Sequence, residues 1–340
     1  MNVHSSQLLP KVHPASHGGI NLNLQIDAGV IKSASLEIGL MHRGAEKLME
    51  FRDYRQGAAL ANRHVWSSPT AGEYAYVLAA EELLGMQITP RADAHRAVFC
   101  EIDRVISHLT FLSYLAPMPV REKWANFMER TTGARMHHQV IRIGGVAFSL
   151  DAEHLDEAAA LSEETRMELR AIELPGDGIG VLTSSVASSH GVSGPIARAS
   201  GVAFDERQRG YGWYQNFQVI VQSSGDAKSR FEQLQAEIAQ SLELIELAGR
   251  DCSGNDELLQ RTPKTIRLPE GEAFASVEGA LGSNGVALFS TGGKAPDRLR
   301  LRTASLGNLS ALEEVLVGTA ESDLALCLAS WPFLAGDSDR

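Results

Sequence analysis

Apolar and polar residues alternate along INLNLQID, from Ile20 to Asp27, and again along VIKSASLEIG after the Ala28-Gly29 pair. A two-residue period interrupted by a turn predicts an early β-hairpin. The period then lengthens to that of helices. In TAGEYAYVLAAEELLG, Thr70 with Glu73 three residues on reads as a capping box, and Gly85 reads as the stop. From Pro90 a longer helix is predicted: Ala94, Val98, Ile102, Val105, Leu109 and Leu112 recur three and four apart, and Asp93, Arg96, Asp103 and Arg104 take the opposite face. Helical spacing returns in REKWANFMERTTGARMHHQ, in AEHLDEAAALSEETRMELRAIE and in KSRFEQLQAEIAQSLELIELAG, where Gly249 is the predicted stop. After about Arg261 the texture becomes short alternating runs with Gly and Asn turns, which predicts a β-rich terminal segment. The fold class that follows is α+β, mainly α. Its predicted parts are an N-terminal loop and hairpin over 1–40, a helical body over 41–255, and a β-rich segment over 256–340 packed on that body.

Composition narrows the function. The chain has 340 residues, 44% hydrophobic and 21% charged, with a formal net charge of −11. An acidic body repels phosphate backbones and anionic headgroups, so nucleic acid is excluded as a partner. The longest uncharged run, Ile179 to Ala197, is broken by Ser, Gly, His190 and Pro195 and is no membrane span, which needs about 20 mostly apolar residues. Cys100, Cys252 and Cys327 are scattered, so neither an iron–sulfur cluster nor a thiolate zinc site is expected on this chain alone. The first residues lack the basic start, apolar stretch and small-residue cleavage site of a secretory signal.

Candidate chemistry is concentrated in a few segments. HPASHGG places His13 and His17 on a Pro- and Gly-marked loop, where an imidazole suits proton transfer near neutral pH; the plain alternative is a surface turn. LMHRGAEKLMEFRDYRQG gathers His42, Arg43, Glu46 and Lys47, for which Arg43–Glu46 and Lys47–Glu50 salt bridges on an exposed helix face are sufficient. Tyr74 and Tyr76 lie on different faces of their helix, so one of them is expected in the core. ARMHHQVIRIGG reads as a helix end leading into a strand, and GDGIGV lacks the strand–loop–helix setting of a dinucleotide site.

Taken in order, HPASHGG, IGLMHRGAEKLME, SSPTAGEYAYVLAAEELLG, ERTTGARMHHQVIRIGGV, GVSGPIARASGVAFD and the closing GDSDR resemble the D-type subunit of bacterial proton-pumping NADH:quinone oxidoreductase, complex I, from about residue 10 onward. That family is related to the large subunit of nickel–iron hydrogenases. The resemblance implies a hydrogenase-large-subunit-like helical body that forms, with the iron–sulfur B-type subunit, the chamber where quinone is reduced. It also implies contacts with the C-type subunit and with the H-type subunit of the membrane arm, a peripheral place on the cytoplasmic side of the bacterial cell membrane, and NAD and iron–sulfur clusters held by partner subunits. No metal is expected here, because the stretches matching the hydrogenase Cys-x-x-Cys pairs, NRHVWSSPTAGE and SWPFLAGDSDR, contain no cysteine.

By the same resemblance, His17 and Tyr76 are the expected hydrogen donors to the quinone, His13 shares the loop, and His137 faces the partner's terminal cluster. Arg43, Arg63 and Arg142 match basic positions of structural or long-range electrostatic importance. Three departures stand out: no acid lies between Asp103 and Glu122 to serve as counter-ion for His17, EYAY replaces EHAY, and VEGALGS keeps Glu278 but loses an arginine. They leave a second reading, a scaffold paralogue impaired in quinone chemistry within a complex that uses another electron donor.

Overall fold

The computed structural model describes residues 2–4, as backbone, and 19–339. His13 and His17 lie outside the described residues. The hairpin forms as its alternation requires: β2 (Asn21–Asp27) pairs antiparallel with β3 (Val30–Glu37), with a register shift at Gln25/Ile26, and β1 (Asn2–His4) adds to β2. The body follows as α1 (Ala45–Glu50), α2 (Tyr54–His64), α3 (Pro69–Leu84), α4 (Pro90–Leu112) and α5 (Pro119–Thr132). A short hairpin of β4 (Ile141–Arg142) and β5 (Gly145–Val146) precedes α6 (Ala152–Arg170), α7 (Ser184–Ser189), α8 (Gly194–Ala199) and α9 (Ala227–Arg250). Then β6 (Glu270–Gly279), β7 (Gly282–Thr291) and β8 (Arg298–Arg302) make an antiparallel sheet in sequence order. The terminal segment is strand only as far as Arg302; α10 (Ala304–Leu316), α11 (Leu324–Ala329) and α12 (Ala335–Ser338) follow.

Two apolar cores result. The larger is shared by α2 to α6, α9 and the β6–β8 sheet. In the smaller, Leu22, Leu24 and Ile31 of the first sheet pack with Leu309 and Leu312 of α10, Leu328 of α11 and Trp331 just beyond it. The edge of β3 is tied there by the Ile31 amide, which donates to the Thr319 carbonyl at 3.0 Å.

Several local expectations are corrected by tertiary contacts. The capping box does not form: α3 starts at Pro69, the Thr70 hydroxyl donates to Asp103 instead (2.7 Å), and Glu73 is buried with Asn62 and the Ile141 amide as donors. Gly249 is no stop, since α9 runs to Arg250; its bare Cα meets Leu155 of α6. Tyr74 and Tyr76 are both in the core, because from Pro69 to Glu81 all residues of α3 but the half-buried Leu78 are buried, whichever face they stand on. The Lys47–Glu50 pair forms at 2.9 Å, but Glu46 pairs with Arg298 of β8 rather than with Arg43.

The charged face predicted for α4 is not a solvent face either. Glu101 and Arg104 enter a fully buried ionic network with Arg198, Asp205, Arg207, Glu237 and Glu278. His108 joins it, its Nε2 3.2 Å from Glu237. Arg198 is the hub, donating to Glu237 (2.7 Å) and Glu278 (2.8 Å) and lying 3.2 Å from Asp205. Three guanidinium groups thus face four carboxylates and one histidine. Burial raises the Glu278 carboxyl, aided by the neighbouring Asp205 charge, to about 7.

Glu50 fixes α1 to β8. It accepts from Arg298 (2.7 Å), Lys47 (2.9 Å) and the Leu299 amide (3.2 Å). Burial pushes its carboxyl up, but Lys47 and Arg298 together prevail and hold it at about 2 against an ordinary 4.5. A depressed carboxylate stabilises fully above the unfolded value and loses that contribution as pH falls through the folded one. Glu50→Gln is therefore expected to cost about 1–2 kcal/mol at neutral pH, discounted because Lys47 and Arg298 are open to solvent. Near pH 2 the difference should vanish; urea titrations at the two pH values check it.

Candidate functional site

Three helices, each opened by a proline, frame a cleft of about 360 Å³: the start of α3, the middle of α4 and the first turns of α5, closed by the loop between α5 and β4. Proline fits the first helical turn because its missing N–H would have no partner there. The apolar side of the cleft comes from Trp66, Ile106, Phe111 and Met136; its polar side comes from Ser67, Asp103, Ser107 and His138, with Arg121 and Arg135 at the rim.

The polar wall is built around Asp103. Its Oδ2 accepts from both the Thr70 amide (2.9 Å) and the Thr70 hydroxyl (2.7 Å), which leaves Oδ1 facing His138 Nε2 at 3.3 Å. The other ring nitrogen of His138, Nδ1, donates to the Ala134 carbonyl at 2.8 Å. Burial pulls the His138 pKa down, but Asp103 outweighs it and the group is raised above its ordinary value. Beside this pair, the hydroxyls of Ser67 and Ser107 are buried with no hydrogen-bond partner among the described residues. A hydroxyl hidden from water and unpaired costs free energy unless something else bonds it, which marks this wall as a place for a ligand with hydrogen-bonding oxygens.

His137 takes a different part from His138. It and Gln139 both have left-handed backbones (φ 56° and 50°), a strained arrangement for non-glycine residues that turns alternate side chains to opposite sides of the loop. His137 Nδ1 bonds Asn62 Oδ1 (2.9 Å), and Asn62 in turn donates to Glu73 (2.7 Å). With its amide oxygen turned toward Arg63, Gln139 accepts from both terminal nitrogens of Arg63 at 2.7 and 3.0 Å, and Arg43 donates to the Arg63 carbonyl at 3.2 Å. The expected residues Arg43, Arg63 and His137 are thus brought to one patch. Burial and the Arg63 charge lower the His137 pKa, which favours the neutral ring. Burial raises the Glu73 carboxyl behind them to about 8.

Tyr76 is placed elsewhere. Its ring is inaccessible, its hydroxyl seats on Gly57 of α2 so closely that a Cβ there would fall 2.2 Å away, and it has no hydrogen-bond partner among the described residues. It is not among the residues lining the cleft. Arg142 lies outside the cleft: its carbonyl accepts from Arg96 (2.9 Å), and it lines a second cleft with Arg55 and Arg261. The sequence reading missed Ser67, Asp103, Ser107 and His138; the one available signal was the adjacency of two histidines, which does not tell which one faces a carboxylate.

Comparison with known proteins decides the family. The pattern described as the respiratory-chain NADH dehydrogenase 49 kDa subunit matches residues 106–264 and 252–340. The D 1 subunit of NADH-quinone oxidoreductase from Streptomyces coelicolor is 40% identical, covering 96% of this chain and 93% of its own. The chain belongs to the family of D-type subunits of NADH-quinone oxidoreductase. The corresponding D-type subunit of Anaplasma phagocytophilum is 32% identical over 96% of this chain and 95% of its own. Among solved structures, a chain of the membrane-bound sulfane sulfur reductase, an archaeal respiratory membrane complex, superposes with a TM-score of 0.90 at 28% identity, covering 100% of this chain and 98% of that one. The mainly α, α+β fold is that of the D-type family, and such a chain is a subunit of an oxidoreductase complex. Among the described residues no helix is long and apolar enough to cross a membrane, and no three His, Cys, Asp or Glu side chains are grouped to hold a metal ion.

Proposed function

We propose that this D-type chain forms, with an iron–sulfur B-type subunit, the quinone-reducing site of a respiratory NADH:quinone oxidoreductase, and that the cleft between α3, α4 and α5 receives the quinone headgroup. The observation that carries this reading is the pair of unpartnered buried hydroxyls, Ser67 and Ser107, beside the Asp103–His138 pair. A quinone presents two carbonyl acceptors on an apolar ring, and the wall offers the two unpartnered hydroxyl donors in a cleft also lined by Trp66 and Met136. In this reading Arg43, Arg63 and His137 face the partner's terminal cluster, and His17 brings a second imidazole from the N-terminal loop. Electrons arrive from NADH through iron–sulfur clusters of other subunits, the C-type and H-type subunits complete the assembly, and proton translocation belongs to the whole complex on the cytoplasmic side of the membrane. The buried Tyr76 is assigned to packing of α3 on α2 rather than to the headgroup.

A photoreactive quinone analogue tests this on the purified complex. Label is expected on peptides carrying Trp66 and Met136 and should be displaced by excess quinone; label confined to other subunits or other faces of this chain would sink the proposal. A second reading, a scaffold in a complex with another electron donor or acceptor, is favoured by the likeness to a sulfane sulfur reductase chain and by the lack of an acid between Asp103 and Glu122. His17→Ala separates the two. Loss of quinone reductase turnover by tenfold or more in an assembled complex supports the first reading, and unchanged turnover supports the second.

A further inference from the structure

The second cleft, of about 380 Å³, is held in shape by three parts of the chain. The segment 258–260 is pinned to the β4–β5 turn: the Val146 amide donates to the Leu258 carbonyl (2.8 Å) and the Gln260 amide to the Gly144 carbonyl (3.0 Å). Arg55 of α2 fixes the stretch that follows, donating to the Thr262 hydroxyl (2.7 Å) and to the Pro263 (2.6 Å) and Lys264 carbonyls. Arg55, Arg142 and Arg261 thereby line one opening together with Ala58, Ile143 and Leu259.

Its charge is out of keeping with the rest of the chain. Acids outnumber bases 42 to 31 in the sequence, yet no Asp or Glu is among the described residues that line this cleft. None of the three guanidinium groups has a carboxylate partner among the described residues, and the side chains of Arg142 and Arg261 donate no hydrogen bond there. Asp53, close to Arg55 in sequence, gives its carboxylate to the Arg55 and Gln56 amides, both at 3.0 Å. Arg142 acts on the buried Glu73, but burial raises that carboxyl to about 8, so near neutral pH it is mostly protonated and supplies little counter-charge. Like charges gathered without an opposite one repel, and an anion that enters relieves the repulsion.

We infer that this cleft binds a phosphomonoester, its phosphate between Arg142 and Arg261 and its carbon portion against Ile143 and Leu259. A guanidinium fork offers two parallel N–H groups to a pair of oxygens. A carboxylate has one such pair and satisfies one fork, whereas a phosphomonoester has three terminal oxygens and satisfies two. The volume lies near the lower end of ligand clefts, roughly 300–1,000 Å³, which leaves room for more than a bare phosphate. The net charge of −11 does not oppose this, because salt screens distant acids beyond about 8–10 Å. The cleft shares no lining residue with the first one, so the inference stands or falls apart from the quinone reading.

The test titrates the full-length chain calorimetrically with phenyl phosphate at neutral pH and fixed ionic strength, beside benzoate and inorganic phosphate. Phenyl phosphate should bind at least tenfold more tightly than either. Arg142→Gln and Arg261→Gln should each weaken it by tenfold or more, while Arg300→Gln, at an exposed arginine of β8 outside the cleft, should leave it unchanged. Arg261 is exposed, so its variant tests the cleft even where Arg142→Gln fails to fold. Co-sedimentation with vesicles of phosphatidic acid in phosphatidylcholine separates two sources of the same chemistry. Arg261-dependent binding to the vesicles supports the inference with a lipid headgroup as the ester, and binding to phenyl phosphate alone supports it with a soluble one. Absent binding of phenyl phosphate, binding that both arginine variants leave unchanged, or equal affinity for benzoate or inorganic phosphate would overturn it. So would loss of phenyl phosphate binding in the assembled complex, which would give the cleft to an acidic segment of a partner.

Discussion

Arg198→Ala is expected to destabilise the chain by about 3–5 kcal/mol, enough to prevent its accumulation in folded form. The guanidinium contacts Glu237, Glu278 and Asp205, all inaccessible to water, so its removal leaves Glu237 and Glu278 buried with no guanidinium partner and Asp205 with Arg207 alone. Arg104 and Arg207 cannot move to help, since Arg104 is held by the Gly279 and Glu278 carbonyls and Arg207 by Asp205 and Glu101. Recovery of soluble chain and hydrogen exchange of the α9 amides measure the effect, and parental protection in the variant would refute the network as a keystone. Glu278→Gln gives the converse signal. A carboxyl raised in the fold from 4.5 to about 7 makes stability fall as pH rises through that interval, because the unfolded chain releases its proton first. The amide cannot ionise, so the variant should lack this slope between pH 4.5 and 7.

Gly145→Ala is expected to be comparably severe, about 3–5 kcal/mol. Gly145 has φ +147°, a conformation open to glycine and costly for any side chain, and a Cβ there would lie 1.9 Å from the Leu258 carbonyl oxygen. That oxygen also accepts from the Val146 amide (2.8 Å), and the Gly145 carbonyl accepts from Arg96 (3.1 Å). Relief of the clash would break both. Gly249→Ala is the control: its new methyl would meet only the movable Leu155 side chain, at 3.0 Å, and alanine favours the helix, so the change should stay within about 1 kcal/mol. Thermal unfolding of the two variants side by side decides the matter.

What the amino-acid pattern disclosed was whatever depends on neighbours close in sequence. The β2–β3 hairpin, the span of α4 from Pro90 to Leu112, and the glycine end of α3 at Gly85 all follow from short-range periodicity and capping chemistry. The charged residues of α4 defeated the same reasoning, because their partners lie far along the chain: Arg104 reaches Glu278 and Gly279, and Glu101 reaches Arg207 and Ser241. Periodicity assigns a charged face to water unless something says otherwise, and nothing local did. The site divides in the same way. Family resemblance pointed to His137, Arg63 and Arg43, which do meet on one patch. The Asp103–His138 pair joins a helix to a loop 35 residues later, and only the left-handed turns at His137 and Gln139 decide which imidazole looks inward. Tyr76, the donor that the resemblance offered, is sealed against Gly57 of α2 and does not line the cleft, because contacts distant in sequence, not helix periodicity, set the exposure of its face.

The smaller core joins the two ends of the polypeptide. Asp339 accepts from the Gly39 and Met41 amides across some 300 residues, and the apolar face of the first hairpin is covered by α10 and α11. A ribosome adds roughly 5–20 residues each second, so after the hairpin emerges about 15–60 s pass before its covering helices exist. During that interval Leu22, Leu24 and Ile31 face solvent. The nascent chain should therefore be a client of holding chaperones bound near its start, and folding should be completed after translation instead of during it.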